Sequence, residues 1–541
     1  MRSSDTTPII MASLYYRILY KSTAFFIILK KISVNYITVL DSNVKIVYNR
    51  YNEQFRKEKS MKKFLALFLC ILMALPISFF GCTKDEKESE DVTLGPVSGV
   101  SDERLELDVP DIDFGDDYTF TIIGKGGSGW NAEDMLCPEE DSDDVLDHAK
   151  YARYKAVEDM YGIKIVTQLK EDIYTVVKNS VSSNDKSFDM IYMNTYNTAS
   201  AATDNLLYNL YDVELLNLDA PWYDQNYNNG MSIGTTLYST VNHMLTMDMH
   251  CTWVMMYNKE LITRYGLKDP YDMVKDNTWT FDNFAAMLEG VSTDNGDGIW
   301  DSNDIYGFAA HSGSARNFFY GAGMTVCDKN SANYPELVID DNENIVKLQS
   351  KAVKLLHEGN NTLFHRTGDD FSIADVFREG RVLFLAEIAG YLNYFREMEQ
   401  DYGIVPYPKY SADQKSYYTT NDPCIMVMSL PAFNHTSEEI QRIATVTESL
   451  CWESYYTLSP SYYEDVLGGK GTRDEGSYEM IELCRESRIY DFGLFNPDIS
   501  LHDAFESLIE NSSTNYASLV KRRIKGATAE LQEIIERYEK A

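Results

Sequence analysis

The chain holds 8 cysteines and no Cys-x-x-Cys pair. Beyond Cys82 they fall at Cys137, Cys251, Cys327, Cys424, Cys451 and Cys484, too scattered for a zinc finger or an iron–sulfur cluster. Their even number permits disulfides in an exported protein, and it equally suits small apolar residues in a core. The 8 histidines are dispersed without a His-Glu-x-x-His run, and His243 and His250 read as packed or surface residues. No Gly-x-Ser-x-Gly elbow is present, and the glycine-rich stretch Gly124–Gly129 lacks the lysine and threonine of a phosphate cradle. No segment recurs at a fixed period, which excludes solenoids and propellers. Positive charge is also scarce, with 49 Lys/Arg against 83 Asp/Glu. So acidic a surface repels nucleic acid and anionic lipid headgroups, and it disfavours an anionic ligand.

Tyrosine, by contrast, is abundant, with 39 in the chain, which suits surfaces that stack on flat or ring-shaped ligands. A second informative feature begins at Met61. Met61-Lys62-Lys63 precedes the apolar run Phe64–Phe80, and Gly81-Cys82-Thr83-Lys84-Asp85-Glu86 follows. A short basic segment, one apolar stretch and a small residue at the cut make up a bacterial secretion signal. A cysteine directly after the glycine makes 61–81 resemble a lipoprotein signal, with Cys82 lipidated as the first mature residue. Phe79 and Phe80 depart from the aliphatic and small residues of that pattern.

Residues 1–60 carry 10 Lys/Arg against 4 Asp/Glu, and their apolar stretch Ala24–Leu40 is broken by Lys30-Lys31 and Asn35. Arg56-Lys57-Glu58-Lys59 would be encoded by purine-rich codons where a ribosome-binding site would lie. The expectation is that translation starts at Met61 and that 1–60 is an extension; the competing reading is a further membrane anchor. From Cys82 onward, 460 residues remain, with 37 Lys/Arg against 79 Asp/Glu and a net charge of −42. That length suggests about two domains, preceded by a polar tether over 82–111.

Along the mature chain, Thr119–Ile123 alternates like a strand and Asp144–Tyr161 has helical spacing, stopped by Gly162. Ile163–Val166 predicts a strand, Ile173–Val181 a helix and Phe188–Met193 a buried strand. Strand and helix in alternation point to a parallel sheet with helices on its faces. Ligands of such sheets sit beyond the carboxyl ends of the strands, which places Gly126–Trp130 and Asn194–Asn197 on the rim of a cleft. Leu237–Met247 and Cys251–Tyr257 read as strands. A second α/β pattern follows, with Thr280 capping a helix Phe281–Leu288, a strand Ile305–Ala309, helices Asn344–Glu358 and Ile373–Arg378, and a strand Val382–Leu385. The last hundred residues read as helical, ending in Leu519–Lys540.

Four stretches in order resemble family 1 of the bacterial extracellular solute-binding proteins, the carbohydrate-capturing lipoproteins of ABC importers. They are Val254-Met255-Met256-Tyr257-Asn258-Lys259-Glu260-Leu261, Asn277-Thr278-Trp279-Thr280-Phe281-Asp282, Phe377-Arg378-Glu379-Gly380-Arg381-Val382-Leu383-Phe384 and Tyr402-Gly403-Ile404-Val405-Pro406-Tyr407-Pro408-Lys409. The resemblance implies an α/β, two-lobed periplasmic-binding-protein-like fold of type II, in which two parallel or mixed sheets flanked by helices are joined by hinge strands. Carried onto this chain, one lobe is 112–250 plus 410–455 and the other 251–405 plus 456–541, with crossings near 246–253, 403–410 and 453–458. Pro406 and Pro408 suit a crossing, since proline cannot donate to a central ladder. The resemblance also implies a monomer lipid-anchored on the outer face of the cell membrane. It would capture a small-molecule carbohydrate by lobe closure and serve ABC permease subunits, with ATP hydrolysed elsewhere.

A sugar presents an apolar C–H face and a hydroxyl edge, so its site needs aromatic plates ringed by carboxylates and amides. Trp130 follows the first strand in a glycine loop and is either such a plate or a packed loop anchor. Trp222-Tyr223-Asp224 after Pro221 resembles the Pro-Trp-Trp-Asp run of large family members, and equally a Trp-anchored connection. Glu387 and Tyr391 follow the strand Val382–Leu385, where the family places ligand contacts. Asn194 and Tyr196 are candidates by strand-end position. Asn421 and Asp422 before Pro423 are candidates or turn formers, Asp248 lies at a proposed hinge, and Trp452 lies beside a crossing. Thr293–Asp304 resembles an EF-type calcium loop with ligands Thr293, Asn295, Asp297, Ile299, Asp301 and Asp304, although position 1 is Thr and position 12 is the shorter Asp. The alternatives are a structural Ca2+ site or an acidic Asx-rich turn. No nucleophile motif points to an enzyme; a surface glycoside hydrolase, which needs only two carboxylates among many, and a polysaccharide-binding surface protein are the competing classes.

Overall fold

Asp144 begins the first long helix because its carboxylate accepts from Leu146 N and Asp147 N, and Gly162 ends it in the left-handed region at φ 65°. The computed structural model describes residues 104–115, 117–127, 131–339, 342–462 and 474–540. Segment 61–81, Cys82 and Trp130 lie outside them. The strands are β1 (Thr119–Lys125), β2 (Lys164–Lys170), β3 (Met190–Asn194), β4 (Trp253–Asn258), β5 (Tyr306–His311), β6 (Cys327–Lys329), β7 (Pro335–Leu337), β8 (Thr362–His365), β9 (Val382–Ile388), β10 (Tyr402–Val405) and β11 (Met426–Ser429).

The first lobe is built on a sheet of order β11-β3-β1-β2. β1 pairs in parallel with β2 and β3, and β11 closes the edge antiparallel to β3. Helices Val145–Tyr161 and Ile173–Ser183 make the crossovers, and Asp172 and Asn184 cap the second of them. Both the helices and the alternation in β1 follow the sequence pattern. Leu237–Met247 differs: it forms no strand, and only single bridges tie Thr240 to Met428 and Asn242 to Tyr223. Its apolar residues are drawn into a loop because Asn242 accepts from both Tyr192 Oη and Met244 N, at 2.9 and 3.2 Å.

The second lobe carries the sheet β10-β4-β9-β5-β8, in which β9, β5 and β8 are parallel and β4 runs antiparallel to both of its neighbours, β9 and β10. β4 is buried on both faces. Met255 and Tyr257 enter one cluster with Trp279, Phe284, Phe308 and Phe384, and Val254 and Met256 enter another with Tyr306, Phe377, Leu385 and Phe395. This is the period-2 alternation of a strand covered on both sides. Thr280 caps the helix Phe281–Met287 as expected, accepting from Asn283 N.

The expected crossing at 403–410 runs elsewhere. Tyr402–Val405 pairs with β4 inside the second lobe, and Trp279 Nε1, fully buried, donates to Pro406 O at 2.8 Å. Gly403 is glycine because a Cβ there would overlap the Tyr257 ring, a packing requirement rather than a bend. The backbone bonds that join the lobes come from three later segments side by side. Trp253 N donates to Thr420 O (3.1 Å), Asp422 N to Cys251 O (2.9 Å) and Ile489 N to Thr419 O (2.7 Å). Crossings therefore lie at 251–253, 419–422 and 487–490.

The C-terminal part is also divided differently from the expected lobe boundaries. Helix Ser437–Tyr456 and the short helix Leu458–Tyr462 pack on Val145–Tyr161 of the first lobe. Helix Glu475–Glu486 packs on β10 and β4 of the second. The last helix, Tyr516–Lys540, touches Thr195–Thr203 of the first lobe and Glu343–His357 of the second. Among the described residues no helix is long and apolar enough to cross a membrane.

Candidate functional site

The carboxyl ends of β5, β8 and β9 open onto a cavity of about 440 Å³ lined by Trp253, His311, His365, Phe371, Glu387, Tyr391 and Asp422, among others. Parallel pairing sets His311 beside His365. Antiparallel pairing of β4 with β9 sets Trp253, the first residue of its strand, beside Ile388, the last of its own. A strand start thereby joins a row of strand ends.

His311 also caps the next helix, and its Nδ1 accepts from Gly313 N and Ser314 N at 3.1 and 3.4 Å. An accepting Nδ1 leaves the proton of a neutral imidazole on Nε2, which faces Glu387 Oε2 at 3.4 Å. Glu387 is 6% exposed, and its other oxygen accepts from Ile388 N at 3.1 Å. The Trp253 ring lies edge-on to His311 with centroids 5.7 Å apart, and its Nε1–H is buried without a protein acceptor. Burial, then the Glu387 carboxylate, pushes the Tyr391 phenol upward, so it stays a neutral donor.

Across from these groups, Asp422 Oδ2 lies 3.6 Å from Arg316 Nη2, and Arg316 Nη1 donates to Glu506 Oε2 at 2.6 Å. Tyr196 belongs to the first lobe and is within electrostatic reach of Arg316, Asp422 and Glu506; burial foremost pushes its phenol up to about 12. Asn194 caps the Tyr196 helix by accepting from Asn197 N. The cavity therefore combines aromatic rings, the Glu387 and Asp422 carboxylates and the neutral Tyr391 hydroxyl. The Arg316 guanidinium beside Asp422 is also paired with Glu506.

The expected residues thus divide. Glu387, Tyr391 and Asp422 line this cavity, Tyr196 of the first lobe lies within electrostatic reach of Asp422, and Asn194 serves as a helix cap. Trp222 and Tyr223 are core anchors rather than plates: they are 3% and 2% exposed, and Glu448 accepts from Trp222 Nε1 at 2.9 Å and Tyr223 Oη at 2.7 Å. Trp452 lies at the outer side of the first lobe, where its Nε1 donates to Leu105 O and Arg104 stacks over its ring at 5.0 Å. Sequence reasoning missed Trp253, His311, His365 and Arg316. His311 follows an expected strand and could have been found by the same strand-end logic that found Glu387.

Asp224, Asp248 and Asn421 serve the hinge. Arg488 Nη2 donates to Asp224 Oδ2 at 2.7 Å and its Nη1 to Asp248 Oδ2 at 2.8 Å. Tyr490 Oη donates to Asp224 (3.1 Å), Asn421 Nδ2 to Tyr490 Oη (3.1 Å) and Thr252 Oγ1 to Asn421 Oδ1 (2.9 Å). One polar chain therefore runs through all three crossings, beside a second cavity of about 350 Å³.

His243 lines that second cavity and contacts Ser459 Oγ. Burial, foremost, pulls it down to about 3 from its ordinary 6.5. Between those values the unfolded chain binds a proton that the native imidazole refuses, so stability rises with pH across the window and is lost on acidification. His243→Gln is expected to remove up to about 1.4 kcal/mol per pH unit of that dependence, read as denaturation midpoints from pH 3.5 to 7. Asp189 and Asp491, pushed up to about 6 chiefly by burial, act with the opposite sign above 3.8. Comparing variant with parent isolates the histidine.

In the loop 293–304 the side-chain oxygens accept backbone N–H groups. Asp304 takes those of Asn295 and Asp301, each at 2.8 Å, Asn295 takes that of Asp297 at 3.0 Å, and Asp297 that of Ile299 at 2.7 Å. Among the described residues no three His, Cys, Asp or Glu side chains form a group able to hold a metal ion.

The chain is similar to several solved structures. One is an ABC substrate-binding protein of Listeria monocytogenes in complex with cycloalternan, 14% identical over 76% of this chain and 98% of that one, with a TM-score of 0.48. Another is a sugar transporter of Rhizobium etli in an open conformation, 12% identical over 78% and 99%, with a TM-score of 0.49. A third is the maltose/maltodextrin-binding domain of Bdellovibrio bacteriovorus bound to maltotriose, 12% identical over 78% and 99%, with a TM-score of 0.45. No curated protein matches the sequence. The family model described as bacterial extracellular solute-binding protein matches residues 151–445, more than half of the chain. With that match and two α/β lobes joined by three crossings, the chain belongs to the bacterial extracellular solute-binding proteins.

Proposed function

We propose that the cavity at the ends of β5, β8 and β9 captures a neutral carbohydrate, an oligosaccharide, and that the protein delivers it to an ABC-type importer. The observation that carries this reading is the set of groups around one space: the Tyr391 ring, the buried Trp253 indole whose Nε1–H has no protein acceptor, and the Glu387 and Asp422 carboxylates. Carboxylates accept from sugar hydroxyls, aromatic faces cover C–H surfaces, and phenols donate to ring and hydroxyl oxygens. A second carboxylate-bearing anion would meet Glu387 and Asp422 with only Arg316 to offset them, and that guanidinium is shared with Glu506.

Capture follows from differential contact. A ligand that touches the Glu387 side of the second lobe and Tyr196 of the first gains more in a closed arrangement than in an open one, and it shifts the population accordingly. The Gly81-Cys82 junction supports a lipid anchor on the outer face of the membrane, with the binding body as a monomer. The protein is read as a binder without catalytic turnover. The test is a panel of neutral oligosaccharides in thermal unfolding and small-angle scattering. A ligand should raise the midpoint, since it binds only the native form, compact the particle and be recovered intact. Released product would point instead to a glycoside hydrolase, and binding without compaction to a rigid polysaccharide-binding surface protein.

A further inference from the structure

Two sulfurs meet at the hinge. Cys251 Sγ lies 3.8 Å from Cys424 Sγ, with Cys251 buried and Cys424 half-buried. Cys251 opens the first crossing, and Cys424 follows the second by two residues. The bond from Asp422 N to Cys251 O (2.9 Å) and the antiparallel bridge of Thr252 with Asn421 fix the two backbones side by side. The turn closed by Ile425 N on Asp422 O, at 3.2 Å, folds Cys424 back toward Cys251. A disulfide requires sulfurs about 2 Å apart, and rotation about the Cα–Cβ bonds is the movement that covers the difference.

We propose that Cys251 and Cys424 form a disulfide in the exported protein, tying the first crossing to the second. An extracellular protein meets the oxidising conditions in which such a bond persists. Both Sγ–H bonds are lost, one Sγ–Sγ bond forms, and two protons leave to solvent. Two electrons reduce the S–S bond of a disulfide oxidant, such as oxidised glutathione or a dithiol–disulfide oxidoreductase, to two thiols. The half-buried Cys424 is the sulfur an oxidant can reach, and Cys251 then resolves the mixed disulfide.

The bond would close a loop between positions 173 residues apart, and long loops are those whose closure most restricts the unfolded chain. Its functional consequence is local. Trp253 and Asp422, which face the same cavity, stand two residues from Cys251 and Cys424 respectively. The bond therefore holds these two ligand-facing residues in one register, while the third crossing, 487–490, is joined to them by noncovalent bonds alone.

A hydrogen bond with Cys251, then burial, holds the Cys424 thiol well above its ordinary value, so exchange in the folded protein is slow. The assay is therefore refolding of the reduced full chain with oxidised glutathione, then alkylation in denaturant and peptide mapping. The expected result is one cross-linked species carrying Cys251 and Cys424, about 2 Da lighter than the two reduced peptides together. Reductant should lower the thermal midpoint of the parent by several degrees and leave Cys251→Ser and Cys424→Ser unchanged. Alkylation of both cysteines in the refolded parent, or pairing of either with another cysteine, overturns the proposal. So does a midpoint that reductant does not move. Mapping on the parent decides the matter even if a variant fails to fold, and no outcome depends on a ligand.

Discussion

Arg488→Met is expected to lower the unfolding free energy by about 3–5 kcal/mol, the usual result of removing one partner from a buried ion pair. The Arg488 side chain is only 4% exposed, and its two acids are 11% and 14% exposed. Burial foremost, with the Asp224 charge behind it, pushes the Asp248 carboxyl upward, while the neighbouring guanidinium favours its ionised form. Methionine fills much of the same volume but leaves two buried carboxylates without their counter-charge. Converting both acids as well, in Asp224→Asn with Asp248→Asn and Arg488→Met, should recover most of the loss, because the penalty is an uncompensated charge rather than a missing contact. Denaturant midpoints of the single and triple variants read the difference. Equal loss in both would mean that Arg488 acts by packing alone. Small-angle scattering of the single variant adds a second readout, since a hinge freed of its polar chain should sample wider openings.

The hinge also shows where the sequence was readable and where it was not. Local signals held: Thr280 caps its helix where the pattern placed it, the helices expected from Asp144 and Ile173 start at Val145 and Ile173, and β1, β5 and β9 begin within one residue of expectation. These features are settled by neighbours a few residues apart. What failed depends on partners far along the chain. Trp222 beside Tyr223 and Asp224 looks like a sugar plate until Glu448, 226 residues away, takes its Nε1–H. Gly403 and Pro406 look like a crossing until Tyr257 and Trp279 are seen to demand a bare Cα and a carbonyl at those positions. Asp224, Asp248 and Asn421, candidates for ligand contact in the sequence, are held by Arg488, Tyr490 and Thr252 at the crossings. Yet Arg488, which gathers the two aspartates, carries no local mark at all. The strand-end rule did find Glu387 and Tyr391, because the end of a buried strand is visible in one stretch. Trp253 escaped it, since only antiparallel pairing brings the start of β4 to the end of β9.

Glu387→Gln is the sharpest probe of the cavity, since it keeps shape and removes charge. A hydrogen bond from a hydroxyl to a carboxylate contributes about 1.5–3 kcal/mol, so affinity for the best oligosaccharide of the panel should fall roughly 10- to 100-fold. The amide can still accept from Ile388 N, as Glu387 Oε1 does at 3.1 Å, so the end of β9 should keep its conformation. His311 would lose its anionic neighbour at 3.4 Å but retain its two backbone donors on Nδ1, so the row of strand ends stays in register. Trp253→Phe complements it by keeping an aromatic face while deleting the buried Nε1–H, and the expected loss is smaller, about 3- to 10-fold. Calorimetric titration of parent and both variants measures these losses, and thermal midpoints in the absence of ligand separate binding from folding. Unchanged affinity in Glu387→Gln, with the fold intact, would move the sugar site away from the ends of β5, β8 and β9. The cavity beside Arg488 would then become the place to look, and the same titration on Tyr223→Phe and Asn242→Asp, which line it, would follow.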